Sequence, residues 1–209
     1  KYTLPITESN AEKILESGTD EVQSSDLQVD SQGNVYALYT QGYKVGCSWK
    51  LLRLTRSTKK WDTFTIGASC DHQFDVGALI IKDDNDYRAY LPSVPTQSRG
   101  TIGEDGGDIE EWYSTDKGAT WVKKKDITSN SKFSHNFIRS VYNSDSGFRA
   151  FWGYGDSSPN VLDKSTSLYF YGANNPLGTK IVKSQENSTI LLSGEDSENI
   201  IRAKNLNLT

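Results

Sequence analysis

The chain has 209 residues, a formal net charge of −4, 35% hydrophobic residues and 11% aromatic residues. Five Trp, 11 Tyr and 7 Phe supply the bulk for a packed core, which excludes a disordered chain. The acidic balance excludes a protein that tracks nucleic-acid phosphates, because the basic run Lys123 to Lys125 reads as a solvated strand edge. The sequence has no run of about 18 apolar residues that could cross a membrane as a helix.

The chain opens at Lys1 with no Met and no signal-peptide pattern, which reads as a piece processed or cut from something longer. Ala11, Ile14 and Leu15 fall at helical spacing within Glu8 to Glu16, enough for a turn or two of helix. From Val22 onward the pattern is strand, turn, strand. Asp26–Asp30 leads through Gly33 and Asn34 to Val35–Tyr39, and Leu51–Thr55 is followed by Trp61–Thr65. Ala78–Lys82 leads through Asp83 to Asp86 into Tyr87–Leu91, followed by the pair Glu111–Tyr113 and Trp121–Lys123. Phe137–Tyr142 leads through Asn143 to Gly147 into Phe148–Trp152, followed by the pair Ser167–Tyr171 and Lys180–Val182. The linking residues tolerate positive φ or cap their own backbone, as hairpin turns require.

The two kinds of hairpin recur three times in the same order, with a period of roughly 50 to 60 residues. Four antiparallel strands per repeat predict an all-β fold, a β-propeller, with blade-like repeats about 22–68, 74–128 and 133–183. Closing strands at about 188–209, near Thr189–Leu192 and Ile200, are expected to start a fourth blade or complete a neighbour's sheet. The 1–209 chain thus reads as a partial propeller of three to four blades. An open arc exposes sheet edges and apolar faces, so the remaining part of the propeller is an expected partner.

Residues Ser114 to Trp121 fit the pattern Ser-x-Asp-x-Gly-x-Thr-Trp at every fixed position, the Asp-box. In such a turn the Asp116 carboxylate accepts backbone N–H groups, Gly118 supplies a positive φ and Trp121 anchors the hairpin. The motif specifies a turn at the outer part of a blade and carries no chemistry. Ser57 to Trp61 reads as a decayed copy one repeat earlier.

A longer series surrounds it: Asp71, His72, Phe74 and Gly77; Tyr87 to Pro92; Gly106 to Asp108 with Trp112; His135 to Arg139; Phe151 to Asp156; Ser167 to Phe170. In order and spacing this series resembles the second half of the seven-bladed BNR-4-type propellers. These are lyases and hydrolases acting on polysaccharides that contain uronic acid and rhamnose, ulvan lyases among them. The family often carries a second Arg after the position of Arg139, where this chain has Ser140, which leaves the substrate open.

The resemblance implies part of a secreted (extracellular or periplasmic) polysaccharide lyase cleaving an acidic, ulvan-like polysaccharide by β-elimination. Such a reaction needs a base for the C5 proton, a cation or donor for the carboxylate and a proton for the leaving oxygen. In the resembling lyases these groups come mainly from the first half of the propeller. The local candidates here are His135 and Arg139 for catalysis, with Asn136, Arg139 and Tyr142 for substrate binding. On a regular strand His135 and Arg139 share one face, and only a bulge brings the cluster together. Blade-to-blade ion pairing is the competing account of the same residues. Arg99, Glu104, Asp105 and Asp108 lie in a Gly-rich stretch that could line a sugar groove.

Cys47, Cys70, His72 and His135 are all the cysteines and histidines present. They could form a closed tetrahedral zinc site between blades, which members of the resembling family also possess. A Cys47–Cys70 disulfide is the alternative. Two other functions use the same scaffold: a propeller lectin or binding scaffold without catalysis, and a sialidase-like or rhamnosidase-like hydrolase.

Overall fold

A computed structural model describes residues 7, 9, 11–42, 47–68, 75–83, 85–94, 106–140, 149–155, 167–172, 175–183 and 190–193. It is all-β. The strands are β1 (Val22–Val29), β2 (Val35–Gln41), β3 (Ser48–Thr55), β4 (Lys60–Ala68), β5 (Ala78–Asp83), β6 (Asp86–Val94), β7 (Asp108–Ser114), β8 (Val122–Asp126), β9 (Ser134–Ser140), β10 (Ala150–Gly155), β11 (Ser167–Gly172), β12 (Asn175–Lys183) and β13 (Ile190–Ser193). They form three antiparallel sheets in simple chain order, β1 to β4, β5 to β8 and β9 to β13. Each is a blade of a propeller-type fold.

Among the described residues the helical spacing near Ala11 builds no helix: the Ala11 N–H closes one turn on the Thr7 carbonyl at 2.9 Å, and Ile14 stays exposed. The strand β13, at the expected closing strand near Thr189–Leu192, pairs with β12 and extends the third sheet to five strands.

Packing follows the two-residue alternation of the strands. Tyr36, Leu38, Trp49 and Leu51 of the first sheet meet Leu79, Tyr87, Ala89 and Leu91 of the second in one core. The opposite face of the second sheet contributes Ala78, Tyr90 and Ile109 to another core, with Ile138, Ala150, Trp152 and Tyr171 of the third. Fully burying one such aromatic or leucine side chain stabilises by roughly 1.5–3 kcal/mol, so these two seams hold the blades together.

The edge strands β1, β5 and β9 lie side by side on the inner rim of the three sheets. An edge strand has backbone groups with no sheet partner, and here the neighbouring blade supplies them. Asp26 Oδ2 accepts the Leu79 N–H at 2.8 Å, and Ser25 Oγ bonds both the N–H and the carbonyl of Gly77 at 2.8 Å. From the other side, Asn136 Oδ1 accepts the Val76 N–H at 2.8 Å, and the Ile138 N–H donates to the Val76 carbonyl at 3.0 Å.

The short turns gather at one end of the sheets. In the β7–β8 turn, Asp116 Oδ1 accepts the Thr120 N–H and the Ser114 hydroxyl, each at 2.8 Å, and Lys117 and Gly118 take φ values of 58° and 79°. Burial works to raise the Asp116 pKa, but the bonds from Thr120 and Ser114 outweigh it and hold the carboxyl below its usual range. Arg53 of the preceding blade donates to the Lys117 carbonyl at 3.0 Å, and Trp121 packs into the first core. At the opposite end lie the described residues 75–77, 106–107 and 127–133, which precede β5, β7 and β9.

Candidate functional site

The end opposite the short turns brings the starts of β7, β9 and β11 beside the end of β10. Gly107 and His135 form a backbone bridge, N–H to carbonyl in both directions, at 2.9 and 3.1 Å. Gly106 precedes it with φ of 84°, and a Cβ there would collide with the His135 carbonyl oxygen, so only glycine suits this approach. Asp108 is buried. Its Oδ1 accepts the Thr128 hydroxyl at 2.8 Å and its Oδ2 the Ser131 N–H at 3.2 Å, which ties down the link between β8 and β9.

His135 is buried among aromatic rings. Tyr154 lies 4.6 Å away between ring centroids, and Trp152 and Tyr169 follow at 6.1 and 6.3 Å. The Trp152 Nε1–H donates to His135 Nδ1 at 2.9 Å. An indole N–H can only donate, so Nδ1 is the unprotonated nitrogen and the neutral ring carries its hydrogen on Nε2. Nε2 stands 2.9 Å from Ser131 Oγ and 3.9 Å from Asp108 Oδ1. Burial pushes the His135 pKa down to about 4, against the opposing pull of Asp108. At neutral pH His135 is therefore an uncharged donor with no lone pair to offer.

This arrangement has two consequences. A general base needs an accepting nitrogen aimed at the proton, and His135 has none. A zinc ligand needs the same lone pair, and in this structure the Trp152 indole N–H engages it at Nδ1. Cys47 is buried just before β3. Cys70 and His72 lie outside the described residues, as do Arg99, Glu104, Asp105 and Tyr142. Among the described residues, no group of three or more His, Cys, Asp or Glu is placed to hold a metal ion.

The strand β9 is bulged. His135 pairs with Tyr154, Asn136 with Gly153 and Arg139 with Phe151, so three steps along β9 match two along β10. The extra residue reverses the alternation, and Arg139 falls on the side of Asn136, away from His135. That corrects the regular-strand expectation that His135 and Arg139 share a face. Asn136 is buried, with its side-chain oxygen engaged by Val76 and also by the Phe137 N–H at 2.7 Å. Arg139 is exposed, and its guanidinium donates to the Ile138 carbonyl at 3.2 Å.

A buried carboxylate absent from the sequence candidates lies deeper in the same seam. Glu111 Oε1 is 2.7 Å from Arg88, 3.3 Å from the Tyr90 hydroxyl and 3.5 Å from Arg149, and Oε2 is 3.5 Å from the Tyr171 hydroxyl. Lys125 approaches to 3.9 Å. A Glu at a core-facing strand position is the only signal the sequence carries for this network, because its partners come from β6, β8, β11 and the residue before β10.

No protein-family model and no curated protein matches the chain. Among solved structures it is similar to an ulvan lyase of polysaccharide lyase family PL25, at 15% identity and a TM-score of 0.56. The match covers 81% of this chain and 37% of that one. A PL25 ulvan lyase bound to -[GlcA(1-4)Rha3S]- gives the same values. The likeness is one of fold, and this chain spans little more than a third of the length of the enzymes it matches.

Proposed function

We propose that this chain is part of a secreted polysaccharide lyase that cleaves an acidic, uronic-acid-containing polysaccharide by β-elimination. One observation carries the reading: an exposed guanidinium, Arg139, stands on the inner edge strand of a fold shared with ulvan lyases. In β-elimination a base takes the C5 proton, the C4–C5 double bond forms and the C4 oxygen leaves with a proton. The negative charge that develops beside the carboxylate needs a cation. Arg139 serves that carboxylate, or a neighbouring sulfate, through its planar fork of donors. His135 does not take the C5 proton, because both ring nitrogens are committed within the fold. That step belongs to another group.

The remaining part of the propeller is the natural cover for the first sheet. Leu27 and Val29 on β1 pair with Ala37 and Val35, on the face turned away from the first core, and both are exposed.

The test is affinity electrophoresis of the chain in gels containing a glucuronate–rhamnose-3-sulfate polysaccharide or neutral dextran, with ultraviolet detection of unsaturated uronate in solution. Retardation by the acidic polymer alone, lost in Arg139→Ala, is the expected result. Equal mobility in both gels would overturn the reading. Unsaturated product released by the chain itself would place the C5 base on it as well.

A further inference from the structure

Phe137 is the exposed aromatic residue of the structure: among the described residues every other Phe, Tyr and Trp is at least partly buried, whereas Phe137 is 58% exposed. It is also held in a costly backbone conformation, with φ of 56°. The other non-glycine residues at positive φ are Lys59, Lys117 and Asn130, which lie in turns or links where such angles are ordinary. Phe137 is in the middle of a strand. The bulge that turns it outward is clamped from both sides. The Asn136 side-chain oxygen accepts the Phe137 N–H and the Val76 N–H together, and the Ile138 N–H reaches the Val76 carbonyl. The fold thus commits a buried amide and a strained residue to placing one apolar ring in solvent. Burial of that ring within the described residues returns nothing for this cost.

Two residues further on, Arg139 is exposed on the same inner strand. A flat apolar ring and a guanidinium two residues apart on one edge strand can meet neighbouring units of an acidic saccharide. The ring suits the C–H face of a pyranose, above all a 6-deoxyhexose with its methyl group, and the guanidinium suits the adjoining anion.

We propose that Phe137 is a saccharide-stacking residue, presented by the β9 bulge to pack against a deoxyhexose ring while Arg139 holds the neighbouring uronate or sulfate. This rests on the acidic-polysaccharide reading above. The experiment compares the wild-type chain with Phe137→Gly, Phe137→Trp and Arg139→Ala. Calorimetric titration with a glucuronate–rhamnose-3-sulfate oligosaccharide is run at low and high salt, and Tm is recorded for each protein.

Glycine accepts φ of 56° without strain, so Phe137→Gly should keep or raise Tm while weakening binding about tenfold, with the salt dependence intact. Phe137→Trp should bind within about twofold of wild type. Arg139→Ala should weaken binding and flatten its salt dependence. If Phe137→Gly binds as wild type does, or loses affinity only in step with a falling Tm, the stacking role is overturned and the polysaccharide reading stands. If the wild-type chain itself does not bind the oligosaccharide, both are overturned.

Discussion

Acidification should destabilise this protein through His135 in a defined window. The ring is buried, accepts from Trp152 at Nδ1 and faces Ser131 and Asp108 at Nε2, with Tyr154 and Tyr169 against its faces. Burial lowers its pKa from the usual 6.5 to about 4, and the Asp108 carboxylate only partly offsets this. Above pH 6.5 the ring is neutral whether the chain is folded or unfolded, so it adds no pH dependence. As the pH falls below that, the unfolded chain binds the proton and the folded chain refuses it, so stability drops until about pH 4, where both are protonated. At 1.36 kcal/mol per pH unit the full loss is roughly 3 kcal/mol. Urea unfolding of wild type and His135→Gln across the window is the assay. A Gln amide can still accept from Trp152 and donate to Ser131 without titrating, and both proteins carry the same carboxylates. The variant should be less stable at pH 7 and lose less on acidification, so that the gap narrows by roughly 3 kcal/mol towards pH 4. Parallel curves would refute the reasoning, as would a ring-proton resonance of His135 that titrates near 6.5.

Two further outcomes follow from the seams and turns. Replacing Glu111 by Gln removes the charge that Arg88, Arg149 and Lys125 share, and should cost about 2 kcal/mol in urea unfolding, below the full value for a buried pair because the cations are partly solvated. Asp116→Ala breaks the bonds to Thr120 and Ser114 and should cost about 1 kcal/mol of stability. The same change should leave retardation by the acidic polysaccharide unchanged, since the turn joins the outer strands β7 and β8 whereas Arg139 stands on the inner strand β9.

The strands were legible because each hairpin is marked at its turn. Asp30 accepts the N–H groups of Gln32 and Asn34, and the turn at Ser114 to Trp121 closes on Asp116, so residue type and geometry agree locally. The helical spacing near Ala11 misled because it describes a face without saying whether a partner exists to cover it. The strand near Thr189–Leu192 was legible, but the choice between starting a blade and completing a sheet was not, since pairing of β13 with β12 depends on what lies beside it. Glu111 escaped for the opposite reason: its partners come from four separate stretches of chain, and no local pattern joins them.

The inner strands show why polar residues there are poor guides to chemistry. Ser25, Asp26 and Asn136 are residue types suited to holding a sugar, yet each is used to bond the backbone of the next blade. An edge strand packed against another blade must have its N–H and carbonyl groups met by something, and a short polar side chain from the neighbour is the cheapest partner. His135 follows the same logic through Gly107 and Trp152. Among the described residues of the candidate cluster, removing those commitments leaves Arg139, an exposed charge on the inner strand. The bulge beside it explains why. By adding one residue it rotates Arg139 away from His135 and turns Phe137 to solvent, so the device that closes the seam also decides which side chains remain free for a ligand.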